Sequence, residues 1–442
     1  MKFKIRITAL IIVVLQILLS AVTVSADDTD SLPPVPPLEK CKAAYLYNFE
    51  NDTALFEYNP TEIVYPASTV KLMTAIVAFD YFEGALDTEI TVTREMLGEV
   101  AGNKIGFYDG EIVTVRQMLN CMLVNSANDA AIILAHATAG DTASFVRMMN
   151  EKAAWIGAYN TYYMNPTGLH DDLMVTTAAD TALIAKYAYN IPEFIDITAT
   201  SKYVMDATNK SDYRSIYNRN CLISKFYSVD YYYSDAIGMN AGATTQGGYT
   251  LCAVAEDEER GLTYLAVVLG AEKDEDGKLY SYINGTNMLK WAFEAYDYAQ
   301  VLSSSKIICE LPVTLSSTLD YVTLVPQNDI TVYLPKSIDL QKDIRYSYNT
   351  YSDSLEAPVE AGAIAGSITV LYGDEILGSC PLITTSSITR SEFLHFLEGI
   401  KQFTKSRFFI STIIAIVVLS VAYVLIQARR REQKLRRMSG RR

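Results

Sequence analysis

The chain has 442 residues, half of them hydrophobic, with 37 Lys and Arg against 51 Asp and Glu and a formal net charge of −14. The first 26 residues carry +3 and those after Ala428 carry +7, which leaves about −24 for the rest. So acidic a body argues against nucleic acid as a partner and for a soluble, outward-facing surface. The six cysteines form no C-x-x-C pair, and neither they nor the three histidines cluster, so no metal site and no cofactor is expected.

Residues 1–26 have the three parts of a secretory signal peptide. Lys2, Lys4 and Arg6 form a basic start, an apolar run follows over 7–24, and Val24-Ser25-Ala26 offers a cleavage site. An uncleaved anchor is the alternative reading of so long a run. Residues 43–49 and 53–58 then read as two strands joined by Glu50-Asn51-Asp52. Over 68–82 the period turns helical, with Val70, Met73, Val77 and Phe82 in step and only Lys71 and Asp80 charged. A helix apolar nearly all round belongs at the centre of its domain.

Further helices are expected over 115–124, 128–139, 142–156 and 284–299, and strands over 249–255 and 262–270. Residues 38–300 therefore read as an α+β domain, helices with a mainly antiparallel sheet. From 306 to 388, short alternating runs such as Ile330-Thr331-Val332-Tyr333-Leu334 point to a small all-β domain. Phe393, Phe396, Leu397, Ile400 and Phe403 recur on one helical face within 390–405, a connector that lies either on a bilayer or on the β domain. Residues 408–427 are free of charge and long enough for a transmembrane helix. The basic tail, 428–442, with Arg429, Arg430 and Arg431 at its head, would stay in the cytoplasm, leaving a single-pass protein with its body outside the cell membrane.

With His136 in an apolar helical run and His395 in the connector, a Ser-His-Asp arrangement is poorly supplied, and a hydrolase here needs another base. Ser68-Thr69-Val70-Lys71 offers one. Residues three apart share a helical face, and Lys71 between Val70 and Leu72-Met73 would be partly desolvated, which favours its neutral amine. A helix N-terminus beside Ser68 suits a developing oxyanion. By itself the pattern equally describes a capping serine with a surface lysine. Asn125-Ser126-Ala127-Asn128-Asp129 places a hydroxyl and an amide at a helix boundary, again readable as a cap. The uncharged segment Met239-Asn240-Ala241-Gly242-Ala243-Thr244 enters the 249–255 strand region.

Serine-x-x-lysine, serine-x-asparagine and a glycine-containing segment before a strand, in that order, resemble the penicillin-interacting serine enzymes. More closely, the chain resembles the D-alanyl-D-alanine carboxypeptidases among the low-molecular-mass penicillin-binding proteins, which have a serine β-lactamase/transpeptidase-like fold. The matching text is Tyr65-Pro66-Ala67-Ser68-Thr69-Val70-Lys71-Leu72-Met73-Thr74-Ala75 and Asn125 to Ala131, with Asn165-Pro166-Thr167-Gly168-Leu169, Asn218-Arg219-Asn220-Cys221-Leu222 and Leu355-Glu356-Ala357-Pro358-Val359. The resemblance implies Ser68 as nucleophile, Lys71 as general base and Ser126 as proton relay. Asn128 would hold the substrate amide and orient Lys71, and the backbone N–H groups of Ser68 and Ala243 would form an oxyanion hole. It implies a peptidoglycan stem peptide as substrate, with β-lactams as covalent inhibitors.

One motif departs. Where the family reads Lys-Thr-Gly-x-Thr, this chain reads Asn240-Ala241-Gly242-Ala243-Thr244, so the lysine and a hydroxyl are gone while Gly242 and Thr244 remain as substrate-binding candidates beside Asn240 and Ala243. A charged hydrogen bond left unmade costs about 1.5–3 kcal/mol. Two readings stand: a serine carboxypeptidase whose carboxylate pocket draws its cation from Arg214, Arg219 or Lys225, or a pseudoenzyme that binds wall peptide or partners. A β-lactamase is the poorer third, since no deacylating glutamate can be identified.

Overall fold

The computed structural model describes residues 35–439, so the expected signal lies outside the described residues. These residues form two compact units, one up to Asp297 with Tyr333–Ser337, the other Tyr298–Val332 with the residues from Ile338 onward.

The first unit is built on a five-stranded antiparallel sheet. Its strands are β1 (Ala43–Asn48), β2 (Thr53–Tyr58), β3 (Ala236–Thr244), β4 (Gly248–Asp257) and β5 (Leu262–Ala271), in the order β2-β1-β5-β4-β3. Every residue of β5 is buried. Alternation divides its side chains between two cores: Leu265, Val267 and Leu269 face one, Tyr264, Ala266 and Val268 the other. That two-sided burial is why the run reads as continuously apolar. β3 lies at the sheet edge, with one side free of a strand partner.

One core holds the helices that frame α1 (Val70–Phe82), which is buried from Val70 to Phe79 as its all-round apolar surface demands. Around it pack α2 (Val115–Asn125), α3 (Asn128–Ala139), α4 (Thr142–Ile156) and α5 (Ala178–Tyr189), while α6 (Pro192–Ala199) covers β3. α2 opens on a capping box in which Thr114 and Gln117 exchange backbone-to-side-chain bonds of 3.2 and 2.8 Å.

The other core is closed by α7 (Tyr280–Ala295) through Met288, Leu289 and Ala292. This helix differs from the expected 284–299. It begins four residues earlier because Tyr280 and Tyr282 are buried in the second core. It ends at Ala295 because the aromatic run from Tyr296 turns extended, φ −124° and ψ 151°, and enters a strand, Tyr296–Leu302.

The second unit contains a six-stranded sheet of β6 (Cys309–Thr314), β7 (Tyr321–Pro326), β8 (Ile344–Thr350), β9 (Leu355–Glu356), β10 (Ile364–Tyr372) and β11 (Glu375–Thr384), ordered β8-β10-β11-β7-β6-β9. α8 (Glu392–Lys405) follows, capped where Ser391 Oγ accepts from Leu394 N at 3.3 Å. It buries no residue, and Phe393, Phe396, Leu397, Ile400 and Phe403 are all exposed, so α8 does not pack on the β sheet of its unit. α9 (Arg407–Ser439) contains a 27-residue stretch, Arg407–Gln433, long and apolar enough to cross a membrane. The helix runs on past residue 427 through the basic residues, which favour helix on their own.

Candidate active site

Ser68 occupies the middle of a one-turn 3₁₀ segment, Ala67–Thr69, that leads into α1. Ala67 has φ +49°, a left-handed conformation that an L-residue adopts only where its surroundings hold it. Two glycines do so. A Cβ on Gly242 of β3 would lie 2.5 Å from the Ser68 Cβ and 2.7 Å from its backbone N. A Cβ on Gly168 would lie 2.1 Å from the Ala67 carbonyl oxygen and 3.0 Å from the Ser68 Cα, and Gly168 itself has φ +80°. Neither position admits a side chain, which is the physical meaning of glycine in both motifs.

The loop carrying Gly168 is organised by one side chain. Asn165 Oδ1 accepts from Thr167 N (3.1 Å), Thr167 Oγ1 (2.8 Å) and Gly168 N (2.9 Å). Thr74 of α1 ties the same loop down by donating to the Pro166 carbonyl at 2.7 Å. Lys71, the second residue of α1, is fully buried, and its ammonium donates to the Thr167 carbonyl. Burial, and then the positive charge of Arg219, bring its pKa down from 10.5 to about 7. Among the described residues no hydrogen bond joins Lys71 to Ser68, Ser126 or Asn128. The amine is turned to the Thr167 carbonyl.

Ser126 and Ala127 join α2 to α3; Ser126 is buried, with φ +57°. Its loop is held by Asn103, whose Nδ2 donates to the carbonyls of Asn125 (2.7 Å) and Ser126 (3.1 Å). Asn128 opens α3; its backbone N donates to the Asn103 carbonyl at 2.8 Å and its Nδ2 to the Ala101 carbonyl at 2.7 Å. Thr244 Oγ1 accepts from Gly247 N at 2.9 Å and so closes the β3–β4 turn.

A cavity of about 440 Å³ brings together Ser68, Ser126, Asn128, Gly242, Ala243 and Thr244. Lys71 and Asn240 do not line it. Lys71 is buried behind it, and Asn240 is only 2 % exposed, its Oδ1 without a hydrogen-bond partner. An amide buried with its acceptor unmatched occupies the place the family gives to lysine. The cavity also holds Asn103 and Tyr227, which no sequence signal had marked. The three nearby cations separate here. Arg214 forms a two-pronged pair with the buried carboxylate of Glu111 (2.7 and 3.1 Å). Lys225 sits 4.1 Å over the Tyr232 ring, outside the cavity lining. Arg219 lines the cavity.

The fold is similar to that of known penicillin-binding proteins: the structure of penicillin-binding protein 5 from Haemophilus influenzae aligns over 81 % of this chain and all of its own, with a TM-score of 0.57 at 24 % identity. A family model described as D-alanyl-D-alanine carboxypeptidase matches residues 34–273, and one described as the C-terminal domain of penicillin-binding protein 5 matches residues 296–390. The chain belongs to the D-alanyl-D-alanine carboxypeptidase family. Among its relatives, the D-alanyl-D-alanine carboxypeptidase DacF of Bacillus subtilis is 26 % identical over 365 residues, 81 % of this chain and 88 % of DacF. DacB2 of Mycobacterium tuberculosis is 32 % identical over 239 residues, 53 % of this chain and 76 % of DacB2.

Proposed function

We propose that the protein is a serine-type D-alanyl-D-alanine carboxypeptidase that removes the terminal D-Ala of peptidoglycan stem peptides. The observation that carries this reading is a serine held at a helix start by two glycines, with a buried, proton-poor lysine one turn further on. Neutral Lys71 takes the Ser68 hydroxyl proton as Oγ attacks the penultimate D-Ala carbonyl. The backbone N–H groups of Ser68 and Ala243 receive the oxyanion, a role that the side-chain changes at 240 and 241 leave intact. Ser126 passes a proton to the departing D-Ala amine, and Asn128 aligns the substrate amide. Water then hydrolyses the ester on Ser68. Penicillin acylates the same hydroxyl. α9 anchors the chain by a single crossing, with the basic tail inside and the catalytic unit outside.

The neutral pair Asn240-Ala241 favours a second reading, a protein that binds wall peptide without turnover. The purified full-length protein in detergent, treated with a fluorescent penicillin and assayed for D-Ala release from a stem-peptide mimic, separates the two. Labelling and release that both vanish in Ser68→Ala support the enzyme. Neither label nor D-Ala at high protein concentration leaves only the second.

A further inference from the structure

With no lysine at position 240, the carboxylate that ends the substrate meets no charge from strand β3. Arg219 is the charged residue among those lining the cavity. Among the described residues, no carboxylate forms an ion pair with its guanidinium, whereas that of Arg214 is neutralised by Glu111. Arg219 is also held in place. Its backbone N donates to the Val124 carbonyl at 2.9 Å, its Nη2 donates to Asn103 Oδ1 at 3.0 Å, and its guanidinium lies 5.3 Å from the centre of the Tyr227 ring. Asn103 in turn binds the Ser126 loop, so the cation and the second motif share one scaffold. With one N–H given to Asn103, four of the five N–H bonds of the guanidinium are left for a planar anion.

We infer that Arg219 is the substrate-carboxylate receptor of this protein, the cation having moved from the sheet edge to the loop beside Ser126. The inference rests on the carboxypeptidase reading and makes the enzyme selective for peptides ending in a free carboxylate. A forked guanidinium–carboxylate pair recognises charge and planarity together, which a lone ammonium does not. Its loss costs roughly ten- to a hundred-fold in affinity.

The test compares a peptide ending in D-Ala-D-Ala with its C-terminal amide, by calorimetric binding to the full-length Ser68→Ala protein and by kcat/KM with Ser68 present. The acid is expected to bind roughly ten- to a hundred-fold more tightly than the amide. In Arg219→Gln that gap closes through loss of acid binding, and in Arg219→Lys part of it returns. A gap that survives Arg219→Gln, or equal binding of acid and amide by the parent, overturns the inference, as does an equal loss for both ligands. Acid-selective, Arg219-dependent binding without any D-Ala release would sink the carboxypeptidase reading and leave the receptor role standing.

Discussion

Lys71 is a cationic side chain with its whole length out of water and one acceptor for its ammonium, the Thr167 carbonyl. Such a site favours the neutral amine, and Arg219 adds to the effect. Between pH 10.5 and about 7 the unfolded chain binds a proton that the folded chain does not. Stability on this account falls as pH drops through that window and levels off below it. On the proposed mechanism kcat/KM for D-Ala release is expected to rise about tenfold per pH unit up to about 7 and then to plateau. Arg219→Gln removes a neighbouring positive charge and moves the midpoint upward. A flat profile from pH 5 to 9 would exclude Lys71 as the base. Asn240 is the other residue with a bearing on the proposed reaction, buried with an idle acceptor. Asn240→Lys with Ala241→Thr restores a cation and a hydroxyl, and D-Ala release is expected to gain roughly ten-fold or more; no gain would mean that the pocket has been rebuilt around other groups.

At the scale of elements, the placement of Ser68 depends on the edge strand β3 lying against a 3₁₀ turn. Three residues with left-handed backbone, Ala67, Ser126 and Met239, each stand at or beside a residue of the site, so the local conformations are imposed by packing. Gly242→Ala places a methyl where Ser68 is. Penicillin acylation is expected to fall by about a hundred-fold or more, since displacement of reacting groups by an ångström has that effect. Gly98→Ala, where a Cβ meets nothing within 4 Å, serves as the neutral control in the same labelling assay. The helices over 128–139 and 142–156 were legible to the residue because a cap or a loop motif marks each start and a glycine ends each. The 284–299 helix was not. Its first turn has no side-chain cap and is fixed by Tyr280 and Tyr282 entering the second core, which is a tertiary event.

At the scale of the whole molecule, α9 is long and apolar enough to anchor the protein, and α8 leaves an apolar face exposed. Full-length protein is expected to stay in the membrane pellet through alkaline carbonate extraction. A chain ending at Lys405 keeps the exposed apolar face of α8 and is expected to be released by carbonate or salt. Release of the full-length chain under the same wash would remove α9 as a crossing.

The sequence by itself determined the helical and strand periods, the apolar span and the order of the three motifs. Each of these is written in residues close together in the chain, where capping, periodicity and hydropathy act. Which of Arg214, Arg219 and Lys225 lines the cavity was beyond it, because the three share one short stretch and Arg214 and Arg219 differ in partners more than a hundred residues away, Glu111 and Asn103. The clasp of Gly168 and Gly242 on Ser68, the turn of Lys71 towards Thr167 and the retreat of Asn240 from the cavity were likewise settled by packing. Contacts between segments far apart in the chain exist only once both cores have formed.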